Sequence, residues 1–116
     1  MKTQNVIVDL SFEFALEIIE LAEKLETNRK FVLANQPLKS GTSIGANVRE
    51  AQNAESKNDF IHKIKIAAKE ADETDYWLEL CQHSKNYPDC TELREKISVI
   101  LRILNKIIGT SKTKQV

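Results

Sequence analysis

Residues 37–50 read PLKSGTSIGANVRE and hold two of the chain's three glycines and one of its two prolines. A phosphate-binding loop of the Walker type needs a preceding strand and a lysine after the glycines, but Lys39 precedes both glycines and no strand pattern comes before it. On a helix, the G-x-x-x-G spacing places Gly41 and Gly45 one turn apart on one face, where another helix can approach closely. The stretch therefore predicts a helix that packs against a neighbouring helix.

Apolar residues recur at helical spacing along the chain, and we expect a single domain, 1–116, with four helices. The helices should cover about 11–26, 29–53, 56–85 and 91–108, with 109–116 as a frayed tail. Ser11 is the expected N-cap of the first helix, and Gly109 should end the fourth. Pro37 predicts a kink in the second helix, because proline removes a backbone donor. Amphipathic helices with short connections predict an all-α, antiparallel up-down four-helix bundle.

The bulk composition excludes several classes of protein. The 17 basic and 17 acidic side chains cancel, so net charge gives no argument for nucleic acid or membrane binding, although 27–49 carry four bases and no acid. Cys81 and Cys90 fit neither a disulfide framework nor a zinc-ligand spacing, and are expected to be reduced thiols. No apolar run approaches the length of a membrane span, and the N-terminus lacks the apolar core of a signal peptide. We therefore expect a cytoplasmic protein without membrane association.

Two of the predicted helices carry apolar residues on a second side, away from the core stripe. Contiguous apolar patches on a small domain indicate contact with another molecule, and we predict a homo-oligomer. The alternative is that these residues widen a single core. The predicted interface residues are Phe12, Leu16 and Ile19 on the first helix and Ile66, Trp77 and Leu80 on the third.

The sequence gives little support for catalysis. A di-iron bundle needs two Glu-x-x-His motifs, whereas this chain has only Asp59-x-x-His62, so we expect no metal and no cofactor. Asp75 falls on the apolar face of the third helix, where a salt bridge or a hydrogen bond should satisfy it. An enzyme site formed between subunits around Asp75, Glu50 and His62 remains the alternative. Our prediction is that the protein is not an enzyme.

Residues 40–81, SGTSIGANVREAQNAESKNDFIHKIKIAAKEADETDYWLELC, resemble the bacterial four-helix-bundle proteins encoded in 23S rRNA intervening sequences. The motif that carries the resemblance includes Ser43, Gly45, Asn47 and Glu50. The resemblance implies a ring-shaped homopentamer, no known catalysis, and nucleic-acid binding. The family is also similar in fold to the accessory variability determinant of diversity-generating retroelements, which implies a reverse transcriptase as partner for that subgroup.

Together these observations predict a non-enzymatic oligomer with weak, sequence-independent binding of RNA, or of a nucleic-acid-processing protein. The residues expected to contact nucleic acid are the basic ones that flank the family motif: Lys39, Arg49, Lys57 and Lys63. The alternative is a protein-interaction scaffold that binds no nucleic acid. A continuous basic surface on the oligomer would favour RNA binding, and a mixed surface would favour the scaffold.

Overall fold

The computed structural model describes residues 5–113, which form four α-helices joined by short turns. The helices are α1 (Val6–Thr27), α2 (Phe31–Gln52), α3 (Lys57–His83) and α4 (Thr91–Thr113). Each helix packs along the next one in the chain, and α4 returns to α1 along the loosest of the four seams. The predicted all-α, antiparallel up-down bundle is confirmed, with overall dimensions of 51 × 25 × 21 Å. The outermost parts of the predicted 1–116 domain, 1–4 and 114–116, lie outside the described residues.

The core is built from one apolar stripe on each helix. The structure buries the stripe on α1 that helical spacing predicts, namely Phe14, Ile18, Leu21, Ala22 and Leu25. No surface is exposed on Ile18 of α1, on Ile64 and Leu78 of α3, or on Leu104 of α4. One polar contact crosses this core: Thr74 Oγ1 on α3 lies 2.8 Å from Ser40 Oγ on α2. Helical periodicity therefore locates the core residues, because each helix turns a single stripe inward.

The two glycines of α2 lie where α1 packs most closely, as the spacing of the opening stretch predicts. A Cβ atom built on Gly41 would lie 3.0 Å from both Cγ1 and Cγ2 of Ile18. A Cβ atom on Gly45 would lie 3.4 Å from the carbonyl oxygen of Ser11. The absence of a side chain at Gly41 lets the α2 backbone approach α1, and this approach offsets the poor helix propensity of glycine there, whereas a Cβ at Gly45 would be in nearly ordinary contact.

Pro37 lies inside α2, which continues through it without a break. Its ring is buried, and the residues after it supply local hydrogen bonds: Ser40 Oγ donates to the carbonyl oxygen of Gln36 at 3.1 Å, and Thr42 Oγ1 to that of Leu38 at 2.7 Å. Burial of the proline ring and these two hydrogen bonds therefore stabilise the helix where proline removes one backbone hydrogen bond. A bend of the helix axis at this point stays a prediction.

Two predicted helix ends are wrong. α1 begins five residues before Ser11, which is buried inside the helix and donates to the carbonyl oxygen of Ile7 at 2.7 Å. Burial of Ile7 in the core extends the helix in that direction. α4 does not end at Gly109 but continues to Thr113, because Ile107 and its neighbours pack against the core. The described part of the predicted tail, 109–113, is therefore helical.

Candidate functional site

The family motif lies on α2 and is held partly by that helix itself. Asn47 Nδ2 donates to the carbonyl oxygen of Ser43 at 2.9 Å and to its Oγ at 3.1 Å, and both side chains are half-buried. Glu50 is exposed and accepts a hydrogen bond from Lys63 Nζ on α3 at 3.0 Å. This hydrogen bond and the charge of Glu50 raise the pKa of Lys63. The motif therefore connects the C-terminal half of α2 to α3.

The four basic residues predicted to contact nucleic acid do not gather into one patch on a single chain. Lys63 is engaged by Glu50, whereas Lys57 is exposed at the start of α3. Lys39 and Arg49 are ten positions apart on α2, which separates them by about 15 Å along the axis. Arg49 lines a groove of about 390 Å³ between α1 and α2. Any joint action of these residues would need RNA that spans them or a second chain.

A compact basic cleft lies elsewhere, between the first turns of α3 and the last turn of α4. It measures about 210 Å³ and is lined by Asn58, Ile61, His62, Lys65 and Lys112. The charge of Lys112 lowers the pKa of Lys65, with burial and the charge of the neighbouring Lys69 acting in the same direction. The α3 side of the cleft could be predicted from the sequence, because positions 58, 62 and 65 share one face of α3. The α4 side could not, because the sequence predicts that α4 ends before Lys112.

Asp75 lies between α3 and α4 and has the salt bridge that the sequence predicts. Its Oδ1 accepts a hydrogen bond from Arg94 Nε at 3.0 Å, and Arg94 also lies 3.9 Å from Glu79. His62 is thirteen positions earlier on α3, or about 20 Å along the axis, and Glu50 is paired with Lys63. One chain therefore does not bring Asp75, Glu50 and His62 together.

α1 carries exposed apolar surface on two sides. Leu16 is 49% exposed and Ile19 is 39% exposed. Leu16 and Val99 line a groove of about 440 Å³ between α1 and α4. Phe12 is half-buried and lines the groove between α1 and α2. The helix therefore presents apolar side chains to both of its outer grooves.

The residues predicted as an interface on α3 are less exposed. Ile66, Trp77 and Leu80 are each half-buried. Trp77 Nε1 donates to Glu73 Oε2 at 3.1 Å, and its ring meets the ring of Tyr76 edge to face with centroids 5.3 Å apart. Tyr76 is the more exposed of the pair, although it is not one of the predicted interface residues. Both sets of predicted interface residues stay a prediction.

The two cysteines are buried free thiols at the turn between α3 and α4. A hydrogen bond to Cys90, together with burial, raises the pKa of Cys81. Within residues 5–113, no three His, Cys, Asp or Glu side chains are grouped as a metal ion would require. Among the helices described here, none is both long and apolar enough to span a membrane.

Comparison with known proteins places this arrangement in a family. The family model described as "23S rRNA-intervening sequence protein" matches residues 3–106. A crystal structure of a protein of unknown function from the S23 ribosomal protein family of Bacteroides thetaiotaomicron VPI-5482 is 44% identical, with a TM-score of 0.84 over 88% of this chain and 97% of that one. No curated protein matches the chain. The relation to the retroelement accessory determinant stays a prediction, but the chain belongs to the 23S rRNA-intervening sequence protein family.

Proposed function

We propose that the protein is a non-enzymatic homo-oligomer, a pentameric ring in the cytoplasm, that binds RNA weakly and without sequence preference. The observation that carries the proposal is the apolar surface on both sides of α1. Leu16 faces the α1–α4 groove and Phe12 the α1–α2 groove. Exposed apolar surface of this kind on a small domain indicates contact with another molecule, and a second chain would cover it.

RNA binding is supported by the family and by the distribution of charge. The family description refers to an rRNA intervening sequence. On α2, Lys39 and Arg49 belong to the segment 27–49, which contains no acid. A ring repeats each local basic surface once per subunit, so a neutral chain can still build an extended basic face. Because such a face neutralises phosphates without contacting bases, binding would be salt-dependent and indifferent to sequence.

Light scattering of the purified protein tests the assembly. The wild type should have a mass about five times the 13.2 kDa of one chain. Leu16→Glu places a charge in the α1–α4 groove and should yield smaller species. Gln52→Glu is the matched control, because it adds the same single charge at an exposed polar position of α2, outside the residues that line either groove of α1. A wild-type mass of one chain would refute the assembly.

Fluorescence anisotropy with two labelled single-stranded RNAs of unrelated sequence tests the binding. Replacing Lys39, Arg49 and Lys57 together by Gln should weaken binding to both RNAs equally. Each lost phosphate contact should reduce the slope of log affinity against log salt by about 0.7. Lys63→Gln should change binding less, because Glu50 already engages Lys63. Unchanged affinity and slope in the triple variant would contradict the role of these residues.

The second candidate is a protein-interaction scaffold, with a nucleic-acid-processing protein as the partner. The pairing of Lys63 with Glu50 favours it, as does the α1–α4 groove, where Glu13 and Glu20 outnumber the one lysine, Lys96, which is paired with Glu17. An oligomer that binds neither RNA at low salt would favour this scaffold. An oligomer that binds both RNAs would favour the lead proposal.

A further inference from the structure

We infer that the cleft formed by His62, Lys65 and Lys112 is a binding site for phosphate groups. This inference goes beyond the basic residues that flank the family motif, none of which lines the cleft. The identity of the ligand rests on the proposed function. We infer that the phosphate groups are those of an RNA backbone, which the cleft contacts without contacting bases.

The lining of the cleft has the chemistry that an oxyanion needs. Lys65 and Lys112 supply ammonium donors, and the His62 ring supplies a further N–H group. Ile61 forms the apolar floor, and none of the five lining residues is acidic. The cleft volume of about 210 Å³ is several times larger than the roughly 30 Å³ that one water molecule occupies in the liquid. The cleft therefore has room for a phosphate group beside the two lysines.

The convergence of like charges distinguishes this cleft from the three basic residues of the bundle that pair with carboxylates. Lys63, Arg94 and Lys96 each lie beside a carboxylate, Lys96 beside Glu17. Within residues 5–113, by contrast, His62, Lys65 and Lys112 make no ion pair. The charge of Lys112 lowers the pKa of Lys65, so the cleft brings two like charges to one place. A bound anion would offset this repulsion at Lys65.

The backbone makes the cleft a property of the fold rather than of mobile side chains alone. Asn58, His62 and Lys65 stand on successive turns of α3, and Lys112 is presented by the last turn of α4. The continuation of α4 beyond Gly109 is what carries Lys112 to α3. Because the first turns of α3 and the last turn of α4 are both helical, the backbone positions of these residues are fixed before a ligand binds. This preorganisation of the backbone reduces the entropy lost on binding.

The first experiment titrates the full-length wild-type protein with inorganic pyrophosphate at low salt and follows the lysine side-chain signals by NMR. The signals of Lys65 and Lys112 should shift in a saturable manner, and the pKa of Lys65 should rise when the anion is bound. Lys85, in the turn at the opposite end of α3 and exposed, is the reference. Shifts of equal size in all lysines, or no saturation, would overturn the inference.

The second experiment measures RNA binding by the double variant Lys65→Gln/Lys112→Gln against the charge-matched control Lys24→Gln/Lys85→Gln. Both pairs are exposed, and circular dichroism verifies that each variant is folded. Loss of two phosphate contacts should reduce the salt slope by about 1.4, so between 50 and 200 mM salt the wild type should lose about 7-fold more affinity than the cleft variant. The control should follow the wild type.

The two experiments separate the cleft from the proposed function. If the wild type binds RNA and the cleft variant has the same affinity and slope, RNA does not use the cleft and the inferred source of phosphate is wrong. If pyrophosphate shifts the signals of Lys65 and Lys112 to saturation but the wild type binds no RNA, the phosphate site is supported and the proposed RNA binding is refuted. If neither ligand affects these lysines, the site itself is refuted.

Discussion

The opening stretch makes a prediction that two identical substitutions, one helical turn apart, have opposite effects on stability. Gly41→Ala and Gly45→Ala each add a single methyl group to α2 on the side that α1 covers. At position 41 the new Cβ would lie 3.0 Å from two carbons of Ile18. At position 45 the nearest atom would be the carbonyl oxygen of Ser11, at 3.4 Å. The first distance requires a shift of the neighbour, and the second is close to ordinary contact.

The magnitudes follow from two opposing terms. Replacing glycine by alanine inside a helix gains about 1 kcal/mol at either position. At position 41 overpacking costs about 1–3 kcal/mol, because Ile18 has no exposed surface and its branched Cβ cannot turn away without striking other core residues. The net result is a loss of about 1 kcal/mol for Gly41→Ala and a gain of up to about 1 kcal/mol for Gly45→Ala. The two variants should therefore differ by about 2 kcal/mol.

Urea and thermal unfolding followed by circular dichroism at one protein concentration measure this difference. The concentration must be fixed because assembly would make the unfolding midpoint depend on it. For a chain of this length, 1 kcal/mol corresponds to about 4 °C in Tm, so the variants should differ by about 8 °C. Light scattering verifies that Gly45→Ala, which borders the α1–α2 groove, has the wild-type mass. Equal stability of the two variants would refute the claim that Ile18 fixes the approach of α1 to Gly41.

Three further predictions concern groups inside the bundle. Thr74→Val removes the hydroxyl that lies 2.8 Å from Ser40 Oγ in the core, and should lower the free energy of unfolding in urea by about 1 kcal/mol; an unchanged midpoint would mean that this contact does not stabilise the fold. Asp75→Asn ends the ion pair with Arg94, and since both side chains are about one-third exposed, the loss in urea should be below about 1 kcal/mol; a much larger loss would contradict the surface salt bridge. The raised pKa of Cys81 favours the neutral thiol in the folded state, so its contribution to stability is complete below the usual pKa of 9.0 and is lost as the pH rises above it. From pH 9 to 11 the wild type should lose up to about 1.4 kcal/mol per pH unit more than the double variant Cys81→Ala/Cys90→Ala, which has neither of the two hydrogen-bonded thiols. Parallel pH profiles would count against this.

The sequence alone predicts the bundle and most of its core, and the reason is visible in α1. Phe14, Ile18, Leu21 and Leu25 repeat at intervals of four, three and four residues, and the structure buries all four. The same logic fails at the ends of helices, because a possible cap such as Ser11 competes with burial of a residue further out, here Ile7. Local propensity indicates where a helix can end, but tertiary packing determines where it does end.

The basic cleft could not be predicted in the same way, and the difference is physical. The spacing of His62 and Lys65 on α3 is visible in the sequence, but a cleft needs a second wall. That wall is Lys112, whose position depends on the length of α4 beyond Gly109 and on the rotation of α4 against α3. An error of one turn at a helix end removes such a residue from the site altogether. Sites built across a helix–helix seam therefore depend on the least predictable part of each helix, whereas core stripes depend on the most predictable part. The variants of Lys65 and Lys112 therefore test the packing of α4 against α3. Variants of Lys39, Arg49, Lys57 and Lys63 test only a pattern that is already visible in the sequence.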